Sequence, residues 1–77
     1  MEPFKVKFFE VQVIQNGEFI PTLKIPPRKT EYTQSELAET IRGLQNRCIG
    51  EGCLRTDDAA LIIPKNAVIF IETIYEE

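Results

Sequence analysis

The sequence predicts a single α+β domain in the order β-β-α-β-β, with one helix packed on a four-stranded mixed or antiparallel sheet. Three observations predict this. A long apolar alternation is closed by Asn16-Gly17, one capped amphipathic helix lies mid-chain, and two short apolar runs follow Gly52. The 77 residues, 43% hydrophobic and 27% charged, suit one compact domain over 1–77. Size scaling gives such a chain about 4,800 Å² of folded surface against about 12,800 Å² unfolded, a thin core with no room for an interior active site.

The first strand is expected over 4–14. Phe4, Val6 and Phe8 alternate with Lys5 and Lys7, and then Phe9, Val11 and Val13 alternate with Glu10 and Gln12. The phase flips at Phe8-Phe9, and a β-bulge there keeps both sets on the inward face. Asn16-Gly17 tolerates positive φ and predicts a two-residue hairpin turn. The return strand, 18–25, puts Phe19, Leu23 and Ile25 on one face with Pro21 in phase. Pro21 has no N–H to give a ladder, which assigns this strand to an edge. Pro26-Pro27 ends it.

Thr33-Gln34-Ser35-Glu36 is a capping box, and Tyr32 and Leu37 stand at the staple positions around it. From there Leu37, Ile41, Leu44 and Cys48 recur on one stripe, predicting a helix over 34–48 with Gly50 as its left-handed cap. Residues 59–63 and 67–75 read as two further strands joined through Pro64-Lys65-Asn66. The last run is apolar on both faces, so Ile69, Ile71 and Tyr75 cannot share a face with Val68, Phe70 and Ile74. One helix covers one face of a sheet. A curled sheet, the 48–58 loop, a second copy or a partner must cover the other.

Element order and length are similar to the ubiquitin-like β-grasp arrangement. That resemblance implies parallel pairing of the first and last strands. The chain ends Thr73-Ile74-Tyr75-Glu76-Glu77 where ubiquitin-like modifiers and sulfur carriers have Gly-Gly, which argues against a carrier role.

Charge and chemistry narrow the function further. Nine Lys and Arg against twelve Asp and Glu give a net charge of −3, and the bases are scattered, which disfavours nucleic acid as a partner. No run reaches the roughly 20 apolar residues of a membrane span, and MEPFKVKFFE lacks the apolar core of a signal peptide. A cytoplasmic protein is expected. With no histidine, neither a Cys-His nor a Ser-His pair can form within the chain. Cys48 and Cys53 read as free thiols. A short-loop disulfide between them would stabilise little, and two thiolates make only half a zinc site unless Asp57, Asp58 or a second chain completes it. Asp57-Asp58 reads as a turn or cap. Gly50-Glu51-Gly52 follows a helix where a phosphate cradle would open one. No enzyme activity, metal, cofactor or small-molecule substrate is expected.

These readings converge on a non-catalytic protein-binding module. In size and acidity it resembles small phage- or plasmid-borne inhibitors and regulators that bind and block a host protein. The partner is another protein, and a homodimer through the sheet is a further expectation. The interface residues selected are Phe9, Glu10, Ile71, Glu72, Tyr75, Glu76 and Glu77. The alternative is a nucleic-acid-associated accessory protein using Lys5, Lys7, Lys24, Arg28 and Lys29 of the basic N-terminal hairpin.

Overall fold

The computed structural model describes residues 3–77, and for 20–22 the backbone alone. The chain is one small α+β domain with a single helix and mostly antiparallel strands. Strand β1 (Phe4–Gln15) lies at the centre of the main sheet. Strands β2 (Glu18–Ile25) and β6 (Val68–Tyr75) flank it, both antiparallel, and the two-residue β3 (Glu31–Tyr32) pairs with Phe4 and Lys5. Helix α1 (Gln34–Glu51) packs against one face together with a separate two-stranded sheet of β4 (Cys53–Arg55) and β5 (Ala60–Ile62).

Local chemistry explains the elements. Asn16 and Gly17 take φ of 54° and 78°, and Gln15 pairs with Glu18 across them. The Glu36 amide donates to the Thr33 hydroxyl at 3.2 Å, and the Thr33 amide donates to the Glu36 carboxylate at 2.8 Å, closing the capping box. Leu37, Leu44 and Cys48 are buried from the helix stripe, and Ile41 is half-buried. The helix ends later than the sequence suggests. Gly52, not Gly50, takes the left-handed conformation with φ 69°, and its N–H donates to the Cys48 carbonyl at 3.1 Å.

The phase flip in β1 is absorbed by a bulge. Val6 pairs with Tyr75 and Phe8 with Ile74, so Lys7 is the additional residue, one position earlier than Phe8-Phe9. Val6, Phe9, Val11 and Val13 thereby all point into the core, where they meet Leu23, Tyr32, Leu37, Leu44, Cys48, Leu54 and Leu61.

Two expectations about the sheet are corrected. The run 59–63 does not join the main sheet: Ala60–Ile62 pairs with Cys53–Arg55 through a turn in which the Thr56 amide donates to the Ala59 carbonyl. The first and last strands run antiparallel, not parallel as a β-grasp requires. The small hairpin and the turn at Asn66 (φ 66°) reverse the chain, so β6 enters beside Ile14, at the far end of β1.

Candidate functional site

Because β1 alternates after its bulge, its two faces differ. The inward residues are buried, while Phe8, Glu10, Gln12 and Ile14 point to the opposite face of the sheet and are only half-buried. Register extends this outer face across three strands. Ile14 stands between Phe19 of β2 and Val68 of β6. Gln12 is opposite Phe70, Glu10 stands between Lys24 and Glu72, and Phe8 is opposite Ile74. Among the described residues no element packs on this face. Phe19 is 67% exposed, Val68 63% and Phe70 53%.

Two local features put these side chains outside. Between Val11↔Leu23 and Val13↔Ile20 strand β2 carries one residue more than β1, in the stretch that contains Pro21. That additional residue shifts the alternation, so Leu23 stays buried while Phe19 turns outward. This corrects the shared face expected for Phe19, Leu23 and Ile25. In β6 no irregularity interrupts 68–74, so Val68, Phe70, Glu72 and Ile74 share the outer face and Ile69 and Ile71 the inner one. Polar contacts organise the middle of the face. The Lys24 ammonium lies 5.0 Å from the centre of the Phe8 ring, and the Gln12 amide donates to the Glu10 carboxylate at 2.8 Å.

Of the residues selected from sequence, Glu10 and Glu72 come together as cross-strand neighbours on this face. Phe9 is a core residue, 1% exposed, with its ring edge-on to Tyr32 at 5.7 Å. It is therefore no surface residue, and the outward member of the pair is Phe8. Ile71 pairs with Val11 on the inner side. Tyr75 sits beside Phe4 at 5.7 Å, and the Glu76 amide donates to the Lys5 carbonyl, so Tyr75, Glu76 and Glu77 lie at the opposite end of β6 from Val68. Sequence reasoning missed Phe19, Val68 and Phe70 as a group. The parity of β6 was available to it, but the irregularity in β2 was not.

The basic set is divided. Lys24 is on the outer face, Lys5 is opposite Glu31, and Lys7 is the bulge residue. Lys29 pairs with Glu36 and lies 5.2 Å from the Tyr32 ring, and the Arg28 amide donates to the Tyr32 hydroxyl. Arg28 and Lys29 edge a groove of about 420 Å³ between α1 and the 25–32 segment, floored by Phe9, Tyr32 and Leu44. The groove has no thiol in its lining, and its Glu36 is already engaged by the helix cap and Lys29.

Both cysteines are free thiols. Burial pushes the Cys48 thiol up, with neighbouring Arg47 pulling the other way. Asp57 and Asp58 are exposed in the turn between β4 and β5, where the Thr56 hydroxyl donates to Asp58 at 3.1 Å. Among the described residues no three His, Cys, Asp or Glu side chains converge to hold a metal ion, and no helix is long and apolar enough to cross a membrane. Comparison with protein-family models, with curated proteins and with solved structures gives no match to this chain.

Proposed function

We propose that this protein is a small non-catalytic binding module that engages another protein through the outer face of its main sheet. The observation that carries the reading is the continuous apolar row of Phe19, Ile14 and Val68, with Phe70 beside it, on a face that nothing in the described chain covers. The largest apolar patch that a typical monomer exposes, about 300–600 Å², is often its functional surface. The polar row of Lys24, Glu10 and Glu72 crosses the face between Phe70 and Ile74 and supplies orientation through charge complementarity.

Such a module acts by occupying a surface of its target, which fits a regulator or inhibitor of the phage or plasmid type. The edge of β6 away from β1 has no strand partner among the described residues and offers backbone pairing to the same target. Affinity capture from the source cell checks the reading, comparing the wild type with Phe70→Asp. Phe70 is outside the core, so the variant keeps its fold by circular dichroism. The expected result is a protein recovered by the wild type and lost with Phe70→Asp; identical recovery by both removes the outer face from the function.

A further inference from the structure

We infer that a second copy of this chain occupies the outer face, packed sheet to sheet about a two-fold axis parallel to β1. The inference rests on the binding-module reading and gives the outer face its occupant when no target is bound. Surface area supports it first. The protein exposes 5753 Å², against about 4,800 Å² for a compact monomer of its mass. With a fully exposed aromatic side chain taken as roughly 200 Å², Phe19 and Phe70 alone expose about 240 Å² of the outer face at 67% and 53% exposure. Val68 at 63% exposure and the half-buried Ile14, Phe8 and Ile74 bring the face to roughly 400–500 Å² per copy, and the pair to roughly 800–1,000 Å², at the lower edge of a specific interface.

Charge then selects the symmetry. Strand β1 is central, so a two-fold axis parallel to it lays β2 of one copy over β6 of the other. Lys24 and Glu72 lie in one cross-strand row on either side of Glu10. The rotation therefore sets Lys24 of each copy over Glu72 of the other, two equivalent ion pairs from one contact. In the same operation the row of Phe19, Ile14 and Val68 meets itself reversed, phenylalanine over valine and isoleucine over isoleucine. The in-plane axis perpendicular to the strands does worse: it keeps each strand over its own copy, so Lys24 of β2 never meets Glu72 of β6. The parallel axis also sets Glu10 over its own copy, so the stacked rows hold four carboxylates against two ammonium groups, a repulsion that the Gln12 amide on Glu10 offsets in part.

Sedimentation velocity from micromolar to millimolar protein tests the inference. The wild type is expected to dimerise, and Phe19→Asp or Phe70→Asp to stay monomeric. Lys24→Glu or Glu72→Lys alone is expected to weaken the dimer about tenfold, the double exchange to restore it, and Glu10→Gln to tighten it. A wild type that stays monomeric at millimolar concentration overturns the inference. If Phe70-dependent capture of another protein persists in that case, the binding-module reading stands. A dimer indifferent to Phe19→Asp and Phe70→Asp, or a double exchange that fails to restore association, also overturns it.

Discussion

Gly50 and Gly52 sit two residues apart and need opposite things from the backbone. Gly50 is inside α1, exposed, with open space where a side chain would grow. Gly52 is the cap, at φ 69°. Gly50→Ala is therefore expected to stabilise by about 0.5–1 kcal/mol, through lower chain entropy in the unfolded state. Gly52→Ala is expected to cost about 1–2 kcal/mol for a Cβ held in the left-handed region. Opposite shifts of the urea midpoint check the pair, and equal shifts would place the helix end elsewhere. Cys48 carries a different signature. Burial holds its thiol protonated to higher pH than in the unfolded chain. The folded state then binds the proton more tightly, so its stability is unaffected below the ordinary thiol range and falls as pH rises through it. Cys48→Ala is expected to lack that component of the alkaline decline, read as denaturant midpoints across the range for both proteins.

Among the elements, the two strand irregularities decide which face each side chain sees. Lys7 is exposed, and Lys7→Ala is expected to change stability by less than about 0.5 kcal/mol. Deleting Lys7 removes the bulge and leaves Val6, Phe8 and Phe9 opposite Tyr75, Ile74 and Thr73 in unbroken alternation, so Val6, Phe9, Val11 and Val13 keep the inner face. The expected outcome is a deletion that folds to the same core, within about 1 kcal/mol of the alanine variant by thermal or urea unfolding; a loss of about 2 kcal/mol or more, the cost of exposing a buried aliphatic, would mean that Lys7 is not the additional residue. The need for this bulge was legible in the sequence, because Phe8-Phe9 breaks an otherwise regular alternation of large apolar residues. The irregularity in β2 was not. Pro21 announces an edge strand, but which neighbour gains the additional residue depends on pairing with β1, a contact the local pattern does not encode.

At the scale of the whole molecule, the shape follows the length of β1, whose 12 residues span about 40 Å. The radius of gyration is 12.8 Å, against about 11.5 Å for a compact domain of this length, and the principal extents are 39 × 23 × 22 Å. The small β4–β5 sheet packs near α1 and β2, on the side that is already covered. Of the coverings considered for the second face, the 48–58 loop is thereby spent on the first, which leaves the proposed partner and the proposed second copy. Dimerisation makes the melting temperature rise with protein concentration, because mass action draws on the folded pair. A concentration series by calorimetry is expected to show that rise for the wild type and its absence in Phe70→Asp.

By itself the sequence determined the helix start at Thr33, the turn at Asn16-Gly17, the buried stripe of α1 and the surplus of apolar strand surface. These are local facts, set by capping hydrogen bonds, permitted φ values and periodicity over a few residues. Only the tertiary structure decided that the last strand pairs antiparallel with the first, that 59–63 forms its own hairpin, and that Phe9 is core while Phe19, Val68 and Phe70 share the open face. The reason is physical. Strand pairing and register join residues far apart in the chain, and a shift of one residue moves a whole strand's side chains from one face to the other.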